Sequence, residues 1–263
     1  MNILVTNDDG ISAESLWALV RELKKISRVS VVAPDGERSA IGTAVTLFEP
    51  LHAEEVRSPV PGVTAYAVDG SPSDCVILAM GKLISGKIDL VVSGINLGSN
   101  VGEDVYISGT VGSALQGYFR GSSAMAVSAP RTSVSGQETA ARAAALLAER
   151  LTAPPRPARI FLNVNTPDLP PDEITEVRIT RLARTSHINT VEEDGLSQQK
   201  KYQLVRQQIV ESAIKGTDMY AIKHGIISIT PLFTSLFERP PQQFLRRLCA
   251  ELLQELKYSK DVS

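Results

Sequence analysis

The chain has 263 residues, with 27 Lys and Arg against 29 Asp and Glu, 43% hydrophobic residues, two Cys and three His. That length and apolar fraction can fill the core of one large α/β domain, and they exclude disorder as the main state. A formal net charge of -2, with no concentrated block of Lys and Arg, excludes the footprint of a protein built to grip a nucleic-acid duplex and leaves a mononucleotide open as a ligand. Cys75 and Cys249 lie far apart in apolar runs and read as small core residues of a reduced compartment, not as a disulfide framework. The sequence reaches Asp8 and Asp9 after a few apolar residues, without the basic flank and long apolar stretch of a signal peptide. No segment approaches the ~20 apolar residues of a membrane helix, so no membrane association and a cytoplasmic location are expected.

Residues 2 to 6, NILVT, form a short apolar run that stops at the turn-forming NDDG. SAESLWALVRELKKI then places Leu16, Leu19, Val20, Leu23 and Ile26 at helical spacing, which gives strand, loop, helix. RVSVVAPDGERS predicts a second buried strand that breaks at Pro34, and the strand pattern returns in KIDLVVSGINLGSN and SAMAVSAP. An Ala-rich helix, ETAARAAALLAERL, precedes a Pro-rich break and the strand RIFLNVNTP. The chain then turns polar, and VEEDGLSQQKKYQLVRQQIV alternates as a hairpin does. GIISITPL predicts a returning strand, and QQFLRRLCAELLQELKY an amphipathic closing helix with Phe244, Leu245, Leu248, Leu252, Leu253 and Leu256 available for packing.

Apolar strands alternating with amphipathic helices predict an α/β fold: a Rossmann-like, doubly wound, mostly parallel sheet with a projecting β-hairpin arm and a C-terminal helix. Residues 1–184 form the expected core; residues 185–263 supply the arm, the returning strand and the helix as an oligomerisation segment. An arm carrying Val205, Ile209 and Val210 among charged residues buries little alone, and a two-stranded hairpin is marginal in water. The apolar face of the closing helix is likewise broad for a solvent-facing tail, so a homodimer or homotetramer is expected.

Ligands of such sheets lie beyond the carboxyl ends of the strands, where every polar cluster of this sequence falls. Asp8 and Asp9 end the first strand, and two adjacent carboxylates repel unless a cation or a proton relieves them. Taken alone, Asp9-Gly10 is equally an ordinary turn with one carboxylate capping the next helix. Ser39 follows the second strand, and Asn96 and Asn100 follow DLVVSG. Each alone reads as a loop or turn residue; together with the carboxylates they make an all-oxygen donor set suited to Mg²⁺, Mn²⁺ or Ca²⁺ and not to Zn²⁺. His52, His187 and His224 show no metal-ligand spacing and read as surface or satisfied core residues. Ser108, Gly109 and Thr110 precede a helix expected to begin near Val111, whose free N–H groups and dipole would receive a phosphate; simple N-capping is the alternative.

GKLISGK, residues 81–87, matches most of a P-loop, but Ile88 stands where Ser or Thr should bind magnesium and the match precedes a strand, so it reads as a loop with a surface lysine. SGINLGSNVG does not reproduce the dinucleotide fingerprint, which argues against a nicotinamide oxidoreductase. NDDG also lacks the D-x-D spacing of phosphatases that use an aspartate nucleophile.

In this order, ILVTNDDG, ERSAIG, TLFEPL, VDGSPSDCV, SGINLGSN, SGTVGSA, TD and GIISITPL resemble the SurE family, the stationary-phase survival proteins that are metal-dependent nucleoside monophosphate phosphatases. The resemblance spans nearly the whole chain and implies a 5′-nucleotidase with one divalent ion, Mg²⁺ or Mn²⁺, per subunit; it permits 3′-nucleotides and short polyphosphate as further substrates, a choice the sequence leaves open. Carried over by position, it implies Asp8, Asp9, Ser39 and Asn96 as metal ligands, with Asp8 and Asp9 catalytic. It implies Asn100, Ser108, Gly109 and Thr110 as phosphate contacts. Gln116, where family members often carry an acidic residue, and the missing aromatic before SITPL are departures. Water is the favoured attacking group, and a non-catalytic nucleotide or metal sensor on the same fold is the alternative.

Overall fold

A computed structural model describes residues 1–131, 134–154, 158–185, 188–194, 201–206, 214–232 and 242–258. His187, Ile209 and Val210, singled out above, lie outside the described residues.

β1 (Asn2–Thr6) is the strand around which the molecule is organised. Ile3 and Val5 face one hydrophobic layer and Leu4 the other, so burial on both sides explains a continuous apolar run where alternation would mark a half-exposed strand. α1 (Glu14–Lys24) follows, with Glu14 in its first turn and Arg21 and Lys24 in its last, which complements the helix dipole. β2 (Arg28–Pro34) pairs parallel with β1. β3 (Ala53–Val56) and β4 (Thr64–Val68) extend that side, β4 parallel to β2 and β3 antiparallel at the edge. The sequence reading did not resolve β3, because AEEV is polar and exposed, as edge strands that resist aggregation are.

α2 (Pro72–Leu78) opens with a capping box between Ser71 and Asp74 and with Pro72 in its first turn. A π-helical turn over Ala79–Leu83 takes up the first three residues of GKLISGK, where the sequence predicts a loop, and the remainder is a loop with Lys87 exposed ahead of the next strand. β5 (Leu90–Leu97), α3 (Gly109–Phe119), β6 (Ser123–Ala129), α4 (Val134–Thr152) and β7 (Phe161–Asn165) continue the parallel pattern. β8 (Val177–Ile179), the hairpin strands β9 (Ile188–Asp194) and β10 (Lys201–Arg206), α5 (Asp218–Lys223), β11 (Ile227–Pro231) and α6 (Gln242–Tyr258) complete the chain.

The main sheet has nine strands in the order β3-β4-β2-β1-β5-β6-β7-β11-β8, and β9 pairs antiparallel with β10 as a separate two-stranded arm. β11 runs antiparallel to β7 and parallel to β8. From β1 the chain winds outward through β2 and β4, then returns to β5 on the other flank of β1. The strand order therefore reverses between β1 and β5, the position where an open α/β sheet leaves a crevice.

α1, α4 and α6 cover one face, with Leu16, Leu19, Leu147, Leu162, Leu245 and Leu248 in a common core. α2 and α3 cover the other. α6 lies on α4 and β8, its Leu252 and Leu256 buried, and Arg150 of α4 pairs with Glu251 at 3.1 Å and with Glu255. Cys75 and Cys249 are free and buried, and burial pushes both thiols up. His52 is exposed and bonded to Asp69; His224 is exposed and stacked on Tyr220. Both take the surface roles expected of them.

Candidate active site

At the end of β1 the backbone turns sharply, and Asn7 holds the turn by donating its side-chain amide to the Gly10 carbonyl at 3.0 Å. The Arg38 amide donates to the Asp8 carbonyl at 2.7 Å, which ties the loop after β2 to the loop after β1. Asp8 is thereby fixed in a buried position, 3% exposed. Its Oδ1 accepts from the Thr110 hydroxyl at 2.6 Å across 102 residues of sequence. α3 starts directly against this carboxylate. A Cβ on Gly109 would lie 2.9 Å from the Asp8 Cβ and 3.1 Å from its Oδ2, so only glycine allows the approach.

Burial is the main force on the Asp8 proton affinity, and the neighbouring Asp9 charge adds to it; the Thr110 hydrogen bond opposes both, and the carboxyl is held up at about 6. Asp9 is also raised, first by burial, with Glu37 adding and the Leu97 amide and Arg131 opposing. The Asp9 Oδ2 is buried without a hydrogen-bond partner among the described residues, and so is the Asn7 Oδ1. Buried orphan acceptors cost free energy, and beside a second carboxylate that cost is largest. A cation placed there would relieve the deficit.

A cleft of about 270 Å³ opens at the strand-order reversal, lined by Asp8, Glu37, Ser39, Ala40, Asn96, Leu97, Asn100, Asp104, Ile107, Ser108 and Arg131. Ser39 donates to Glu37 at 2.8 Å, which leaves its oxygen lone pairs available. Asn96 spends its N–H on the Gly98 carbonyl at 2.6 Å, so its amide oxygen is the free acceptor. Among the described residues no three His, Cys, Asp or Glu side chains form a metal-binding group. The donors available to an ion are the carboxylates of Asp8 and Asp9 with the hydroxyl and amide oxygens of Ser39 and Asn96. That set fits a hard divalent cation.

Of the residues assigned to phosphate, Asn100 and Ser108 line the cleft. Ser108 is the N-cap of α3 and accepts from the Val111 amide at 3.1 Å while its own hydroxyl proton stays free to donate. Gly109 and Thr110 stand behind Asp8, which they support, and do not line the cleft. Asp9 also lies off the lining, beside it at the Leu97 amide.

Sequence reasoning did not select Glu37, Asp104 or Arg131. Arg131 is the one cationic side chain lining the cleft among the described residues, and the strand-end rule would have found it, since it follows β6 by two residues. Glu37 lies inside ERSAIG, a string already singled out, and Asp104 between SGINLGSN and SGTVGSA, places where a carboxylate reads as surface. Asp104 is in fact 1% exposed.

Fold and cleft together define a Rossmann-like α/β protein whose ligand site, at the strand-order reversal, is rich in carboxylates and lined by oxygen. A family model described as survival protein SurE matches residues 3–189. The 5′-nucleotidase SurE of Dehalococcoides mccartyi is 48% identical over 243 residues, covering 92% of each chain. That of Haemophilus influenzae is 40% identical over 240 residues, covering 90% of this chain and 92% of the relative. The crystal structure of the SurE protein from Aquifex aeolicus superposes with a TM-score of 0.77 at 32% identity, over 94% of this chain and 98% of that one. The chain belongs to the SurE family.

Proposed function

We infer that the chain is a 5′-nucleotidase, a phosphomonoesterase that splits nucleoside monophosphates into nucleoside and phosphate, and that 3′-nucleotides and short polyphosphate enter the same cleft. The relatives named above, which carry that activity in their names, support the reaction class. The observation that carries the reading is the pair Asp8 and Asp9, one buried and both resisting ionisation, at the strand-order reversal and against the start of α3. Such a pair is costly in an empty pocket and useful in one that holds a cation.

Asp8, Asp9, Ser39 and Asn96 would hold the ion, Mg²⁺ or Mn²⁺. When bound, it supplies positive charge against the oxygens of a phosphate undergoing in-line displacement. Asn100 and Ser108 direct hydrogen-bonding groups at the phosphate, and Arg131 offsets the negative charge that the dianion adds to Asp8, Glu37 and Asp104. A water oxygen forms the new bond to phosphorus and yields its proton to a cleft carboxylate. The bond from phosphorus to the sugar oxygen breaks, and that oxygen leaves as the nucleoside hydroxyl after taking up a proton.

Of the segment after residue 184, the arm serves association between subunits, while β11 and α6 complete the core. α6 spends its apolar face on its own chain, so the surface offered to a second copy is the arm. There Leu204 stands directly opposite Val191, and Tyr202, two residues away on the same face, is exposed with them. No helix among the described residues is long and apolar enough to cross a membrane, and two free buried thiols suit a reducing cytoplasm.

The test is release of phosphate from nucleoside monophosphates and from an aryl phosphate before and after chelation. Turnover lost with the metal and restored by Mg²⁺ or Mn²⁺ is the expected result. Full activity in protein verified to be metal-free overturns the assignment of the ion, and tight phosphate binding without turnover identifies a sensor.

A further inference from the structure

β7 carries two asparagines at alternate positions. Phe161, Asn163 and Asn165 point to the face covered by α3, while Leu162 and Val164 point into the opposite layer. Both asparagines are fully buried. Two amides inside a strand interior cost desolvation that apolar residues would avoid, and the expense calls for a purpose.

Their partner is a single peptide unit of the cleft wall. Asn165 accepts from the Asn100 backbone N–H at 2.9 Å and donates to the Asn100 carbonyl at 3.0 Å, so one side-chain amide grips both polar groups of that residue. Asn163 donates to the same carbonyl at 2.8 Å. The Asn100 side chain completes the arrangement by donating to the Ser128 hydroxyl at 3.0 Å. Ser128 is the β6 residue in register with Asn165. With the backbone held at two points and one side-chain N–H committed to Ser128, the second N–H of the Asn100 amide, the donor a phosphate needs, is held to one orientation in a residue only 5% exposed. No strand or helix of the fold contains Asn100, so this grip is what fixes it.

We propose that Asn165 and Asn163 are positioning residues that hold Asn100 at its place on the cleft wall, so that part of the cleft's affinity for a phosphate is set from β7. The proposal rests on the reading of the cleft as a phosphate site. Loss of Asn165 should release the Asn100 loop and weaken phosphate contact without touching the residues assigned to the ion.

The experiment is a double-variant cycle on the full chain, comparing Asn165→Ala, Asn100→Ala and the combination. The readouts are kcat/KM for a nucleoside monophosphate and the Kd of inorganic phosphate measured by calorimetry with Mn²⁺ present. Asn165→Ala is expected to lower kcat/KM at least tenfold and to weaken phosphate binding severalfold. In the Asn100→Ala background the same change should cost less than twofold, because the side chain it serves is gone. Asn163→Ala removes one of two donors and should show the same pattern at smaller amplitude; it carries the cycle if Asn165→Ala does not fold. Losses that multiply across the cycle, or an Asn165→Ala protein with unchanged kcat/KM and phosphate affinity, overturn the proposal. A wild-type protein that binds no phosphate and releases none overturns instead the reading on which it rests.

Discussion

Asp8→Asn should abolish turnover and yet make the metal-free protein more stable. In the folded chain the Asp8 carboxyl is held up at about 6 from an ordinary 3.8, chiefly by burial. At about 1.4 kcal/mol per tenfold change in proton affinity, ionising it there costs about 3 kcal/mol more than in the unfolded chain. The sign follows from proton counting. Between pH 4 and 6 the folded protein binds more protons than the unfolded one, so stability falls as pH rises through that window and the deficit is complete above it. Asparagine carries no such penalty. Its amide oxygen can still accept from Thr110, but a charge-assisted bond becomes a neutral one, at a cost of about 1 kcal/mol. The net gain near pH 7.5 is about 2 kcal/mol, or roughly 4–8 °C in Tm for a chain of this size. Thermal melts in chelator at pH 4.5, 6 and 7.5, beside phosphate release with Mn²⁺, measure both effects. Mn²⁺ should raise the wild-type Tm and leave the variant's nearly unmoved. A variant that melts at or below wild type at pH 7.5, with a gap independent of pH, would refute the claim that Asp8 is held against its ionisation.

Gly109→Ala pushes a methyl group against Asp8 at 2.9 Å and should lower kcat/KM by tenfold or more while costing only about 1–3 kcal/mol of stability, as overpacking does; unchanged kinetics would show that α3 does not set the carboxylate. Arg131→Ala should raise KM about tenfold with a smaller change in kcat, since a cation at the cleft wall serves ground state and transition state alike; steady-state kinetics with a nucleoside monophosphate decides it. Light scattering of the intact chain should report at least twice 28.3 kDa at micromolar concentration. Leu204→Glu should shift the particle toward the single-chain mass, and a concentration-independent monomer in the unaltered protein would end the association model.

Much of the fold was legible because its boundaries are punctuated. NILVT is bounded by NDDG and coincides with β1, and the final helix matches the run that begins at Gln242. β3 and β8 were illegible for a different reason: a four-residue polar edge and a three-residue strand leave no periodicity to read. The cleft followed from strand ends and one helix start, which is why Asp8, Ser39, Asn96 and Asn100 meet Ser108 there. The roles of Gly109 and Thr110 depend on which face of α3 abuts β1, a contact across about a hundred residues that no local pattern encodes. Asn163 and Asn165 were hidden in plain alternation, since a strand with one polar face reads as half exposed until the loop that covers it is known.

The position of β11 has a consequence for how the chain is made. β7 finds its outer neighbour only in β11, and β8 pairs with the rest of the sheet only through β11. During synthesis roughly 60 residues must emerge between β7 and that neighbour, about 3–12 s at ~5–20 residues per second. For that interval a nascent β7 presents an unpaired row of N–H and C=O groups, and the two asparagines whose side chains later grip the cleft loop lie along the same strand. The arm is made within the same interval, with its apolar residues still unpartnered. Late in translation, therefore, the residues that line the cleft are already made while the sheet beside them still presents an open strand edge of the kind that invites pairing with another chain.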